Sequence, residues 1–158
     1  MSHPSTQVTT EYVMTLHAPL DPPQGANADF QIFNVRSGGW VRGPSIRGVI
    51  IPPSGDWLRI MPGGARRLDV RLSIRTDDGA IVFVSYAGRA AAAPADAAAR
   101  LAAGETLGPD QVHFVIAPTF ETAAPSYAWL NDIVAVGKVI SLNRADDRHV
   151  TYDIFTVR

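Results

Sequence analysis

The chain has 158 residues, 14 Lys+Arg against 15 Asp+Glu, a formal net charge of -1, 46% apolar and 18% charged residues. This is the composition of one globular domain with a real core, and it argues against a basic nucleic-acid binder, an acidic disordered chain and a coiled coil. There is no cysteine, which excludes disulfides, thiolate nucleophiles and iron–sulfur clusters; of the 14 cations only Lys138 is a lysine.

Residues 1–9 carry neither a basic n-region nor an apolar h-region and are expected to be a flexible arm rather than a secretory signal. No apolar run approaches the roughly 18–20 residues that span a bilayer, so a cytoplasmic protein without a membrane partner is expected. Residues 10–158 are expected to form a single domain. Residues 10–17 alternate, with Tyr12, Met14 and Leu16 on one face, and the run stops at Pro19. Residues 30–35, 46–51 and 57–61 read as three further strands, the second closed by Pro52-Pro53 and the third by Pro62-Gly63-Gly64.

Residues 68–75 give the clearest strand. Leu68, Val70, Leu72 and Ile74 take one face; Asp69, Arg71, Ser73 and Arg75 take the other. Asp77-Asp78-Gly79 then supplies a tight turn into residues 80–86, a hairpin. Residues 95–103 are alanine-dominated, opened by Pro94 and closed by Gly104, and read as one short helix. Strands resume at 111–117, near Phe120, from 127 to 139 and from 148 to 157. The pattern predicts an all-β antiparallel barrel of about eight to ten strands, because closure removes sheet edges that few lysines protect.

Several motifs fail on inspection. Gly43-Pro44-Ser45-Ile46-Arg47 lacks the second glycine and the following helix of a nucleophile elbow. Pro62-Gly63-Gly64-Ala65-Arg66-Arg67 has no phosphate-loop spacing. His3, His17, His113 and His149 form no local ligand pair, so no metal and no cofactor is expected. The aspartate pairs 77–78 and 146–147 fit turn chemistry, not a calcium loop.

Three segments carry a resemblance. They are Gly43-Pro44-Ser45-Ile46-Arg47-Gly48 followed by Ser54-Gly55-Asp56-Trp57; residues 68–71 through Thr76-Asp77-Asp78-Gly79-Ala80; and Phe120-Glu121-Thr122 through Tyr127-Ala128-Trp129-Leu130-Asn131. With the first strand, they resemble the family of small, mostly bacterial and fungal proteins catalogued as domain of unknown function 3237. The resemblance covers nearly the whole chain and implies a compact β-barrel of calycin-like shape, without implying a general activity. Two departures stand out: Leu72 and Ser73 where the family often carries a tyrosine, and the Ala90–Ala93 stretch where a more polar loop is common.

A barrel of this size encloses one small ligand. The expected lumen residues are Asp69, Arg71, Glu121, Trp129 and Asn131, with Trp57 at the wall and Tyr127 and Arg47 as further binding residues. Arg71 would hold a carboxylate, phenolate or enolate, and Asp69 or Glu121 would act as general acid or base. Asp56 and Trp57 are adjacent, so in a regular strand only one faces the lumen. The bland alternative is that Asp69 and Arg71 form a solvent-facing pair and the tryptophans pack in the core. The functional expectation is a cofactor-free isomerase, cyclase, hydratase or lyase acting on a small aromatic, lactone or carboxylate substrate. A non-catalytic carrier of a small hydrophobic ligand and a scaffold with a packed interior are the alternatives. A homodimer is the generic oligomer.

Overall fold

The computed structural model describes residues 6–158; His3 and most of the N-terminal arm lie outside the described residues. The described residues form ten strands: β1 (Thr10–Pro19), β2 (Gln24–Asn27), β3 (Phe30–Asn34), β4 (Trp40–Arg42), β5 (Arg47–Ile60), β6 (Arg66–Thr76), β7 (Ile81–Ala90), β8 (Phe114–Glu121), β9 (Ala135–Asn143) and β10 (His149–Val157). A short helix α1 (Ala95–Ala102) and a 3-10 helix (Pro125–Asp132) complete the elements. The sheet order β5-β4-β1-β10-β9-β8-β7-β6 closes through β5–β6, giving an eight-stranded antiparallel barrel with β2 and β3 as extra strands.

The alternation in β6 sets the sidedness of the barrel. Leu68, Val70, Leu72 and Ile74 are buried, whereas Asp69, Arg71 and Arg75 are exposed. The barrel is its own core, so the apolar face must be the inner one. The same rule holds in β7, where Val82, Val84 and Tyr86 point inward.

Two predicted strands, 46–51 and 57–61, are one strand. β5 runs through Pro52-Pro53 with a register shift between Ile51 and Gly55. Ser54 holds this bulge: its hydroxyl donates to the Ile51 carbonyl at 2.7 Å and accepts the Ser73 N–H at 3.0 Å. At the bulge β5 changes partner, from β4 below it to β3 above it. β3 is tied to the end of β1 by the Leu20–Val35 bridge and by Arg36 N–H to Pro19 O at 3.0 Å. One end of the barrel is therefore walled by β4 and the other by β3.

A second bulge corrects the expected face of β1. Tyr12 opposes Phe155 and Met14 opposes Ile154, so Val13 is the extra residue. Met14 and Leu16 are buried as expected, but Tyr12 is turned out to solvent, edge-on to Phe155.

The two barrel ends differ. The end bearing the β6–β7 turn is closed. There Gly79 takes φ +87°, the Asp78 carboxylate accepts the Thr76 and Tyr127 hydroxyls, and Leu130 and Phe120 are buried. The opposite end carries the β5–β6 hairpin, the β9–β10 loop and α1. α1 starts after Pro94 and buries Ala97 and Leu101. Between the ends, Gly88, Ile116 and Gly137 oppose one another across β7, β8 and β9. A Cβ at Gly137 would meet Ile116 at 2.6 Å and one at Gly88 would meet it at 2.8 Å, so both glycines make room for that isoleucine.

Candidate functional site

An internal cavity of about 250 Å³ occupies the open half of the barrel. Its apolar walls include Phe33, Leu58, Leu68, Val70 and Phe114; its polar groups include Asp56, Tyr86, Tyr152, Arg66, Arg144 and His149. For scale, an engineered apolar cavity of about 150 Å³ takes up benzene. This one is large enough for a single ring with substituents.

Strand register builds the polar centre. Asp56 on β5 opposes Val70 on β6, which opposes Tyr86 on β7. All three point inward, so the carboxylate and the phenol lie on one cross-strand row. Tyr152 enters from β10, opposite Leu16 and Val139. Its ring lies 5.7 Å from Tyr86 and 5.5 Å from Phe114, both edge-on. Tyr152 is 0% exposed, and its hydroxyl has no hydrogen-bond partner among the described residues.

Asp56 is 8% exposed. The Asp69 backbone N–H donates to its Oδ1 at 3.1 Å. Burial lifts its carboxyl from 3.8 to about 7, with the Asp69 charge adding to the rise and the Asp69 N–H and Arg66 opposing it. Burial also holds the Tyr86 and Tyr152 phenols well above their ordinary value. Near neutral pH the site therefore holds two neutral hydroxyls and one carboxyl poised between its two states.

The mouth is cationic. Arg66 shares the inward parity of Leu68 and Val70 at the start of β6. Arg144 follows β9, and its carbonyl accepts a hydrogen bond from Arg148 Nη2 at 3.0 Å. His149 is fixed beside them: Nδ1 is 2.7 Å from the Asp147 carbonyl oxygen and Nε2 is 2.7 Å from Ser141 Oγ. The carbonyl only accepts, so Nδ1 carries a proton and donates to it. Among the described residues no three of His, Cys, Asp and Glu gather into a metal-holding group. No helix there is long and apolar enough to cross a membrane.

The residues singled out from sequence lie in three other places. Asp69 and Arg71 are on the outer face, 3.9 Å apart and more than half exposed, with Arg71 stacked over the exposed Trp57 ring at 5.6 Å. Their expected place in the lumen is corrected by the alternation of β6, whose apolar side faces inward. Of the adjacent pair in β5, Asp56 faces the lumen and Trp57 solvent. Tyr127, Trp129 and Asn131 do not lie on a strand, as expected for 127–139, but on the 3-10 helix at the closed end. There Tyr127 is buried and donates to Asp78 at 2.8 Å, Trp129 is exposed, and Asn131 brackets Thr122 with hydrogen bonds of 2.8 and 3.0 Å. Glu121 ends β8 exposed, and Arg47 begins β5 exposed, opposite Arg42. Of all these residues, Asp56 alone lines the cavity. A signal for the missed ones does exist in the sequence: Asp56 shares parity with Leu58, Tyr86 with Val82 and Val84, and Tyr152 with Val150 and Ile154. Each is a polar group set on an apolar face.

Comparison with known proteins agrees with this architecture. UPF0311 proteins from two strains of Rhodopseudomonas palustris are each 35% identical over 120 residues, spanning 76% of this chain and 75% of theirs. A solved structure of a conserved protein of unknown function from R. palustris superposes with a TM-score of 0.83 at 28% identity, covering 98% of this chain and all of its own. A beta-barrel like protein from Acinetobacter baumannii gives 0.75 at 27% identity, covering 99% of this chain and all of its own. An enzyme from Penicillium herquei shares the fold, with a TM-score of 0.67 at 18% identity and full coverage of both chains. The family model described as "Protein of unknown function (DUF3237)" matches residues 8–157, and the chain belongs to that family.

Proposed function

We propose that the barrel binds one small cyclic organic molecule in the cavity and moves a proton on it without a cofactor, as an isomerase, cyclase, hydratase or lyase does. The observation that carries this reading is Asp56: a carboxyl buried in an apolar cavity, beside two buried phenols, titrating near 7. A group poised near neutrality serves as base in one half-step and acid in the next. The Tyr86 and Tyr152 hydroxyls stay neutral and donate hydrogen bonds to an oxygen that gains negative charge. In an isomerisation or cyclisation Asp56 removes a proton from the carbon or hydroxyl next to that oxygen and returns it elsewhere on the same molecule; in a hydration it takes the proton from the added water and passes it to the substrate, and in an elimination it passes the substrate's proton to the group expelled. The proton balance closes within the site.

The second reading, a non-catalytic carrier, rests on the same cavity and differs only in whether Asp56 reacts. A panel of small aromatic acids, phenols and lactones, screened for thermal stabilisation, identifies a ligand; at a hundred times its Kd it stabilises by about 2.7 kcal/mol. Solvent deuterium uptake into that ligand then separates the readings. The enzyme reading expects uptake that falls about 10²–10⁴-fold in Asp56→Asn while Kd stays within a few-fold. Binding with no uptake by the wild-type protein leaves the carrier.

A further inference from the structure

We propose that Arg66 and Arg144 at the cavity mouth form a carboxylate-binding site, so that the ligand is a small arylcarboxylate held acid-end outward. The inference rests on the reading of the cavity as a ligand site and adds the chemical class.

The two guanidiniums are built into the cavity wall rather than spread on the surface. Arg66 is inward on β6, about four residues, or roughly 13 Å of strand, beyond the Asp56–Val70 row. Arg144 comes from the β9–β10 loop, held from behind by the Arg148 bond to its carbonyl. Burial depresses both arginines, and the Arg66 charge depresses Arg144 further, to about 10, so the two cations feel each other.

Among the described residues neither has an ion-pair partner; the arginine–carboxylate pairs are Arg71–Asp69, Arg100–Glu105 and Arg158–Glu11. Among the described residues Asp56 is the one acid lining the cavity, against Arg66, Arg144 and Arg148, and half-protonated near neutrality it offsets less than one of those charges. Both side chains are half-buried; a cation partly withdrawn from water without a counterion is costly, and an arriving anion removes part of that cost.

The fork of a guanidinium matches the two oxygens of a carboxylate. Along β5 and β6, Leu58 and Leu68 stand between Arg66 and the row of Asp56 and Val70, while Phe114 lies on the Arg66 row and Phe33 opposite Asp56. This order from mouth to floor is charged, apolar, polar. It fits a ring with a carboxylate at one end and an oxygen function at the other. The acid fixes orientation and delivers the far oxygen to the proton-transfer groups.

The test uses 4-hydroxybenzoate, its uncharged analogue 4-hydroxybenzamide, and 4-hydroxyphenyl phosphate, each titrated calorimetrically into wild-type, Arg66→Gln, Arg144→Gln and Asp56→Asn proteins. The expected result is at least a tenfold preference of the wild type for the carboxylate over the amide. Each arginine variant loses most of that preference while keeping its amide affinity, and Asp56→Asn retains it. Retained amide binding shows that a variant is folded. Equal binding of acid and amide by the wild type overturns the anion site and leaves the cavity reading standing. Tighter binding of the phosphate overturns the carboxylate assignment. No binding of any probe at millimolar concentration removes both readings together.

Discussion

The closed half and the open half of the barrel are built from the same strands with the same inward parity, yet they do opposite things with that face. At the closed end Leu72, Ile74, Val82 and Val84 are fully buried and pack against one another, sealed by Leu130 of the 3-10 helix. At the open end the same strands β5, β6 and β7 contribute Asp56, Arg66 and Tyr86, and the bulk that would fill the space is missing. The lesson is a division of labour along each strand: apolar packing at one end sustains the desolvation of polar groups at the other. The bulge in β5 marks the border, because it exchanges the β4 wall for the β3 wall between Ile51 and Gly55.

If this division is correct, mutations should divide the same way. The largest effect is expected at Asp56. Its folded-state carboxyl is raised to about 7, so its contribution is fully present below the unfolded value of 3.8 and is lost as pH rises through 7. The span corresponds to about 4 kcal/mol. Urea unfolding of Asp56→Asn should match wild type near pH 4 and exceed it by up to about 4 kcal/mol at pH 8. Parallel pH curves would mean that Asp56 is not desolvated.

Next come paired truncations. Leu72→Ala removes a side chain packed on all sides and should cost about 4 kcal/mol; Leu68→Ala, bordering existing space, should cost about 2 kcal/mol. Equal losses would erase the distinction between the halves. A smaller effect is expected from Tyr152→Phe. Its hydroxyl has no partner among the described residues, so removal should be neutral or stabilise by about 1 kcal/mol in thermal melts. A clear destabilisation would place a hydrogen bond there. The smallest effect belongs to the outer wall. Asp69→Asn and Arg71→Gln, both on exposed side chains, should each shift stability by no more than about 0.5 kcal/mol and leave ligand affinity unchanged.

Much of the scaffold is legible in the sequence. The hairpin at 77–79, the helix opened by Pro94 and the alternation of residues 68–75 follow from local turn chemistry and period-2 patterning, and the barrel follows from them. The continuity of β5 does not. Pro52-Pro53 reads as a strand break, and only the tertiary bond from Ser73 N–H to Ser54 Oγ carries the strand across it. The alternation of Tyr127, Trp129 and Asn131 imitates a strand and masks the 3-10 helix; Pro125 at its first turn is the local sign of it. β2 and β4, of four and three residues, are too short to show a period.

Asp69 and Arg71 read as lumen residues because they fall within the family-like segments, although the alternation of their own strand sets them opposite its apolar face. In a barrel whose lumen is the core, an inward polar group appears as an interruption of the apolar parity. Asp56, Tyr86 and Tyr152 are three such interruptions, and their convergence needs the closed sheet: β5, β7 and β10 are far apart in sequence and face one cavity only after the barrel shuts.

The central claim is that the barrel keeps one carboxyl in an apolar cavity, poised between its charged and neutral forms at neutral pH. A carbon-detected NMR titration of the aspartate side-chain carboxyls, with Asp56→Asn to assign the resonance, measures this directly. The account predicts a midpoint near 7 for Asp56; a midpoint near 3.8 would contradict it.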